Sequence, residues 1–121
     1  MNLQQLQEFC ESKPHTEATF PFDADTLVYK VAGKVFALIS LKKWENGNPF
    51  INLKCDPDYA LELRADYDNI MPGYHSNKKH WNSIYLKDNN MSPKFLAELI
   101  THSYVLVVKG LPKKVKVAFG L

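Results

Sequence analysis

The feature that most restricts the fold of this chain is a series of three β-rich segments joined by short connections. Residues 27–31 (LVYKV) and 34–41 (KVFALISL) are separated only by Ala32 and Gly33, which predict a tight turn. The third segment, FINLKC at 50–55, follows a connection with an Asn-Gly turn signal. Parallel neighbours need a crossover of roughly a dozen or more residues. The sequence therefore predicts three consecutive antiparallel strands and disfavours a doubly wound parallel sheet.

Three further segments have the apolar spacing and the end signals of helices. The first covers residues 2–12, the second is a short helix that begins at Pro57, and the third begins at Pro93 and ends before Gly110. Proline suits the first position of a helix, because the amide hydrogen that it lacks has no partner there. The predicted N-caps are Asn2, Asp56 and Ser92.

The remaining segments complete the prediction of an α+β fold. HWNSIYLK at 80–87 has the period-2 pattern of a strand, whereas residues 113–121 fit either a strand or a docked basic extension. The order helix, three strands, helix, one or two strands, helix describes an antiparallel β-sheet with helices packed on one face, a two-layer sandwich. With 121 residues, 45% of them hydrophobic and 23% charged, the chain is predicted to form one domain over residues 1–121.

Segment lengths and cysteine usage predict a cytoplasmic protein. No apolar run approaches the roughly 18 to 20 residues that cross a bilayer, and the first residues lack the basic start and hydrophobic stretch of a secretion signal. Cys10 and Cys55 lie in different elements without C-x-x-C spacing, which predicts reduced, partly buried thiols. We therefore expect no membrane partner.

The charge of the chain is divided unevenly along its length. Residues 1–68 carry 7 Lys and Arg against 11 Asp and Glu, a sum of −4, whereas residues 69–121 carry 8 against 2, a sum of +6. A basic segment attracts polyanions where the fold gathers its charges on one surface. The asymmetry therefore fits a polyanionic partner and a merely solvated surface equally well.

The stretch GYHSNKKHWN, residues 73–82, concentrates the chemistry of the sequence. It combines lysines that can neutralise phosphates, asparagines that can donate to backbone oxygens or base edges, and aromatic rings that can stack on unpaired bases. We therefore predict contacts with the DNA backbone, and weak sequence selectivity because Arg64 is the only arginine. The predicted nucleic-acid-binding residues are Lys54, His75, Asn77, Lys78, Lys79, His80 and Asn82.

Residues of this stretch also have structural interpretations. Trp81 opens a strand and fits a core or rim position better than a base-stacking platform. Asn77 can cap its own loop through its side chain, and Lys78 and Lys79 can keep a sheet edge soluble. The structural and functional interpretations predict different burial for the same side chains.

The sequence predicts neither a metal site nor a catalytic centre. His75 and His80 have no Cys, Asp or Glu beside them, and Lys78 and Lys79 would repel a cation. The chain contains no G-x-S-x-G and no H-E-x-x-H, and its 5 glycines are scattered singly, which leaves no phosphate-binding loop. We expect a non-enzymatic protein without a metal or cofactor.

Taken in order, several motifs resemble the MmcQ/YjbR family of small bacterial proteins over nearly the whole chain. They are V-x-G-K at 31–34, N-L-K-C-D-P at 52–57, P-G-Y-H-x-N-K-x-H-W-N at 72–82 and S-Y at 103–104. The resemblance implies an α+β sandwich like that of the bacterial frataxin CyaY, and DNA binding through a double-wing arrangement. The motif positions expected to shape the fold are Gly33, Lys34, Pro57, Gly73, Trp81 and Tyr104.

Other functions remain open beside DNA binding. The first is a protein-interaction or regulatory module with no nucleic-acid role, in which residues 75–82 form a structural loop or bind a partner's carboxylates. A small-ligand pocket bordered by Lys54, His75 and Trp81 is another. Likeness to frataxin also adds iron binding as an alternative. The segments that form the acidic ridge of frataxins carry few acidic residues here, and fold alone does not carry a function.

Overall fold

A computed structural model describes residues 1–88 and 91–121, and this part of the chain forms five helices and six strands. The helices are α1 (Leu3–Glu11), α2 (Leu41–Glu45), α3 (Pro57–Asp66), α4 (Pro93–Lys109) and α5 (Lys113–Phe119). The strands are β1 (Thr16–Thr19), β2 (Thr26–Val31), β3 (Lys34–Ser40), β4 (Phe50–Lys54), β5 (Ile70–Pro72) and β6 (Trp81–Tyr85).

The six strands form one sheet in the order β1-β2-β3-β4-β6-β5, and each neighbouring pair is antiparallel. The predicted meander of β2, β3 and β4 is therefore confirmed. Ala32 and Gly33 join β2 to β3 with φ angles of 49° and 80°, which suit the twist of a two-residue hairpin turn. β5 and β6 form a second hairpin, and β5 lies at the edge of the sheet opposite to β1.

Helices α1, α3 and α4 cover one face of the sheet, which we call the inner face; the other is the outer face. Alternate residues of the strands bury their side chains against these helices, as the two-residue period of a strand requires. The core formed in this way contains Leu27, Tyr29, Val31, Ile39, Ile51, Leu53 and Ile84 from the sheet and Leu6, Leu63, Leu96, Leu99 and Ile100 from the helices. The predicted α+β architecture is confirmed.

The helix ends follow the signals in the sequence. Asn2, Asp56 and Ser92 each accept a hydrogen bond from the backbone N–H three residues further on, at 2.8, 3.1 and 3.0 Å. These bonds satisfy amide groups that have no partner within the first turn of a helix. α4 ends at Lys109, directly before Gly110, as predicted.

Two edge strands were not predicted. β1 lies in a segment interpreted as a link, and β5 lies just before the GYHSNKKHWN stretch. Both are short and carry no clear apolar alternation: no side chain of β1 is buried, and in β5 only Ile70 is. They form because β2 and β6 offer unpaired backbone groups on one side, which a local sequence pattern does not reveal.

Two short helices were also missed. The connection after β3 was predicted as a turn, but it forms α2, where Asp25 Oδ1 accepts a hydrogen bond from Lys42 N at 2.7 Å. Residues 113–121 were predicted as a strand or a docked basic extension, and the strand alternative was wrong. They form α5, which Gly120 ends with a φ of 68°.

Both cysteines are buried and neither is in a disulfide. Burial raises the pKa of the Cys10 thiol to about 12 and that of the Cys55 thiol to about 11. The two thiols are therefore protonated at neutral pH. In the described ranges, no helix combines the length and the apolar character that crossing a membrane demands.

Candidate functional site

The loop between β5 and β6, residues 73–80, contains most of the residues predicted to bind nucleic acid; we call it the β5–β6 loop. It begins at Gly73, whose N–H donates a hydrogen bond to Trp81 O at 2.8 Å. A Cβ atom at Gly73 would lie 2.8 Å from Trp81 Cβ and 3.0 Å from Trp81 O. Only glycine permits this close approach of two backbone segments.

Arg64 of α3 fixes the end of the loop. Its guanidinium group donates to Asn82 Oδ1 at 2.6 Å, to Trp81 O at 3.1 Å and to Lys78 O. The five N–H donors of a guanidinium group form a rigid fork, so one side chain ties the loop to the helix layer. No motif in the sequence marked this role, because it depends on where α3 packs.

A polar network on the outer face holds the beginning of the loop. Asn52 and Ser83 lie opposite each other on β4 and β6, and Ser83 Oγ donates to Asn52 Oδ1. Tyr74 N donates to Ser83 Oγ at 2.8 Å, and Asn52 Nδ2 donates to Tyr74 O at 3.2 Å. Side chains of the sheet thus satisfy both backbone groups of Tyr74 and lay the loop along the outer face.

The side chains of three predicted contact residues form hydrogen bonds within the fold. Asn77 Oδ1 accepts from Lys79 N at 2.9 Å, and Lys78 Nζ donates to Gly73 O at 2.9 Å. Asn82 is 2% exposed, and its Nδ2 donates to Ala60 O at 3.4 Å. The structure corrects the prediction for Asn82, because its position in β6 turns the amide to the inner face, where a nucleic acid cannot reach it.

Among the predicted contact residues, His75, Asn77, Lys78 and Lys79 are exposed, whereas Lys54 and His80 are half-buried. Lys54 lies opposite Trp81 on the outer face, two positions along from the Asn52–Ser83 pair. Cys55 N donates to His80 O at 2.8 Å, which draws the end of the loop alongside Lys54. Trp81 is half-buried and lies outside the inner-face core, so it is a rim residue.

A cleft of about 420 Å³ opens on the outer face beside the loop. Its walls come from the strands, from the segment before β2 and from the β5–β6 loop, and they include Phe22, Asp25, Lys43, Phe50, Tyr74 and His75. The cleft does not include Lys54 or Trp81, which were predicted to border a ligand pocket with His75. The sequence did not indicate it because its walls are distant along the chain.

His75 has an unusual backbone conformation at the wall of the cleft. Its φ angle is 52°, in the left-handed region that residues other than glycine rarely adopt. Its ring centroid lies 4.0 Å from that of Tyr74, and Tyr74 also meets Phe50 edge to face at 6.0 Å. Such conformations persist where surrounding contacts impose them, and they cluster at functional sites.

The basic residues of α5 lie far from the β5–β6 loop. Phe119 of α5 contacts the ring of His15 at 5.5 Å, and His15 directly precedes β1. Strands in a sheet are spaced about 4.8 Å apart, which separates the β1 and β5 edges of six strands by roughly 24 Å. Lys113 and Lys114 therefore do not form one patch with Lys79.

The other motif positions lie at a turn, at the ends of elements and in a contact between α4 and the chain before β1. Gly33 completes the β2–β3 turn, Lys34 is an exposed first residue of β3, and Pro57 is the first residue of α3. Tyr104 OH donates to Pro14 O at 2.6 Å, which connects α4 to the chain before β1. Within residues 1–88 and 91–121, no three His, Cys, Asp or Glu side chains are grouped so that they could hold a metal ion.

Comparison with known proteins finds relatives in bacteria. The family model described as YjbR matches residues 11–106. The chain is 45% identical over 101 residues to the uncharacterized protein YbdF of Escherichia coli O157:H7, which covers 84% of this chain and 80% of that protein. It is 32% identical over 114 residues to the uncharacterized protein YjbR of Escherichia coli K12, and this match covers 94% of this chain and 93% of that protein.

Two solved structures are similar over most of the fold. The crystal structure of Deinococcus radiodurans protein DR2400, with domain DUF419, has a TM-score of 0.88 and 37% identity, and the match covers 99% of this chain and 88% of that one. A Pseudomonas syringae protein has a TM-score of 0.72 and 26% identity over 88% of this chain and 98% of that one. The frataxin-like detail of the fold stays a prediction. By sequence and by structure, the chain belongs to the YjbR family.

Proposed function

We propose that this protein is a non-enzymatic, cytoplasmic DNA-binding protein that contacts the phosphate backbone with the β5–β6 loop and the outer-face surface beside it. The observation that carries the proposal is the position of the exposed Lys79 on a fixed loop whose end lies alongside Lys54 and Trp81. Arg64 and Ser83 hold the two ends of this loop, so the loop backbone loses little conformational entropy when DNA binds.

The chemistry of this surface suits phosphates better than base edges. An ammonium group acts as a compact point charge. It neutralises a phosphate, but it lacks the rigid fork of donors with which a guanidinium group forms bidentate hydrogen bonds. The sequence contains a single arginine, Arg64, and its guanidinium group is already bonded to the loop. Bidentate arginine contacts to guanine are the commonest specific readout. The proposed binding is therefore weakly selective for sequence.

The test compares two double variants that change the net charge equally. Lys54→Glu with Lys79→Glu alters the proposed surface, whereas Lys113→Glu with Lys114→Glu alters α5 at the opposite edge. Fluorescence anisotropy with a labelled duplex and its single strand, at low and near-physiological salt, reports affinity. We expect the first variant to weaken binding by at least about tenfold and the second by much less.

The salt dependence separates DNA binding from the protein-interaction alternative. Neutralising phosphates releases counterions, so affinity falls steeply with salt, and the slope reports the number of contacts. Loss of the two lysines should reduce the slope of the logarithm of the binding constant against the logarithm of the salt concentration by about 2. Absence of binding at low salt, or equal losses in both double variants, would contradict the proposal and favour a protein partner.

A further inference from the structure

The cleft on the outer face has aromatic walls on more than one side. Phe22 contributes a ring that is 70% exposed, from the segment that precedes β2. Phe50 of β4 and Tyr74 of the β5–β6 loop face each other edge to face at 6.0 Å. Ligand-binding pockets are lined mainly by hydrophobic and aromatic side chains of this kind.

Polar groups in the same cleft offer both hydrogen-bond acceptors and donors. Asp25 is held in place by Ser40 Oγ at 2.7 Å and by Lys42 N at 2.7 Å, and Asp23 accepts from Thr26 N at 2.6 Å. Backbone N–H groups of Thr26 and Asp25 hold the pKa of Asp23 below its ordinary value. The Asp23 carboxylate is therefore ionised at neutral pH, and the oxygens of both carboxyl groups can accept hydrogen bonds.

Lys43 and His75 supply the donors of the cleft. Lys43 lies on α2 and is exposed, and His75 lies on the β5–β6 loop. The walls therefore combine flat apolar surface with a polar edge that can both accept and donate. A nucleobase has the matching chemistry, because its two faces are apolar and its edge carries amino donors beside ring-nitrogen and carbonyl acceptors.

The cleft and the proposed phosphate surface share one loop. Tyr74 and His75 line the cleft, and Lys79 is exposed a few residues further along the same loop. A strand whose base enters the cleft would thus bring its neighbouring phosphates to Lys79. The volume of about 420 Å³ lies within the range of small-ligand sites, which run from roughly 300 to 1,000 Å³.

We propose that the outer-face cleft binds one unpaired nucleobase of a DNA strand whose phosphates contact the β5–β6 loop. The proposal rests on the proposed function, because it assigns the strand's phosphates to the surface described above. Duplex DNA keeps its bases paired and stacked, so it reaches the phosphate surface but not the cleft. The proposal thus names the partner as single-stranded DNA. A free nucleotide offers the same chemistry and is distinguished in the test.

The experiment measures the affinities of one labelled single strand and its duplex for matched variants. Phe22→Ala removes an exposed ring from the cleft, and Leu61→Ala removes a side chain that is 61% exposed on α3, in the helix layer. Lys43→Met is paired with Lys94→Met, which lies at the start of α4. Thermal melts monitored by circular dichroism check that each variant is folded. A strand with one 2-aminopurine reports directly whether a base changes its surroundings on binding.

We expect the wild type to bind the single strand about tenfold or more tightly than the duplex, which is the effect of one stacked base. Phe22→Ala should remove most of that preference without changing duplex affinity, and it should abolish the change in 2-aminopurine emission. Lys43→Met should weaken single-strand binding only, and the two control variants should match the wild type.

The outcomes separate this proposal from the proposed function. Equal affinities for strand and duplex, or single-strand binding that Phe22→Ala leaves intact, overturn the cleft proposal while DNA binding itself stands. Nucleoside monophosphates are the competitors. If they compete for the cleft in the wild type and not in Phe22→Ala, the base-binding chemistry is supported. Binding of monophosphates without binding of any DNA overturns the proposed function and assigns the cleft to a free nucleotide instead of a DNA strand, and absence of both overturns both proposals.

Discussion

At the scale of single residues, Arg64 connects the helix layer to the candidate site through three hydrogen bonds. Its guanidinium group donates hydrogen bonds to Asn82 Oδ1, to Lys78 O in the β5–β6 loop and to Trp81 O at the start of β6. Asn82 Oδ1 and Trp81 O accept these bonds at partly buried positions. A residue of α3 therefore helps to fix the conformation of the β5–β6 loop.

Replacing Arg64 with methionine should lower the free energy of unfolding by about 2 to 3 kcal/mol, because charge-assisted hydrogen bonds are lost and the buried Asn82 Oδ1 loses a partner. Urea-induced unfolding measures this loss. Lys94→Met, at an exposed position, should change stability by less than about 0.5 kcal/mol. Equal stabilities of the two variants would show that the guanidinium bonds contribute nothing to the fold.

At the scale of elements, the β5–β6 hairpin depends on the close approach at Gly73. Gly73→Ala should reduce stability by about 1 to 3 kcal/mol, because a new Cβ would lie 2.8 Å from Trp81 Cβ and 3.0 Å from its carbonyl oxygen. Gly110→Ala is the matched control, since its Cβ would have only ordinary contacts at 3.6 Å. Chemical denaturation of both variants tests the difference, and a Gly73 variant as stable as the Gly110 variant would contradict it.

A second prediction at this scale concerns the junction of α3 and α4. His102 Nε2 accepts a hydrogen bond from Asp56 N at 3.2 Å, and the Tyr59 ring packs against the imidazole at 5.1 Å. Burial lowers the pKa of His102 below its ordinary value of 6.5, Asp56 opposes this shift, and Lys109 adds to it. Only a neutral imidazole can accept this hydrogen bond.

As the pH falls, His102 therefore takes up a proton more readily in the unfolded chain than in the folded one. The contribution of neutral His102 to the free energy of unfolding is lost progressively below about pH 6.5. His102→Gln should retain an acceptor and flatten the dependence, which is measured as the difference in urea midpoint between about pH 8 and pH 5. If the wild type and the variant lose stability in parallel over this range, His102 is not responsible.

At the scale of the whole molecule, the core is complete without the last helix. α5 buries none of its own residues, whereas Leu111, just before it, is buried. Ending the chain after Pro112 removes the Phe119 contact with His15 and the packing of Leu121 against the core. We expect a loss of about 1 to 2 kcal/mol with cooperative unfolding retained. Circular dichroism melts test this, and a shortened chain without a cooperative transition would contradict it.

The sequence by itself determined the elements that local patterns specify. Strands β2, β3 and β4 follow from β-branched runs joined by short turns, and the starts of α1, α3 and α4 follow from their caps. Local chemistry decides these features, because a cap or a tight turn needs only neighbours along the chain. The α+β class and the family resemblance came from the same information.

Only the tertiary structure decided the site. The sequence grouped Asn82 with the lysines, but the alternation of β6 and the packing of α3 turn its amide to the inner face. The cleft joins Phe22, Phe50 and Tyr74, which are far apart along the chain, and the short edge strand β5 exists because β6 offers it backbone partners. These features depend on which segments pack together, and that is a property of the whole chain rather than of any window of its sequence.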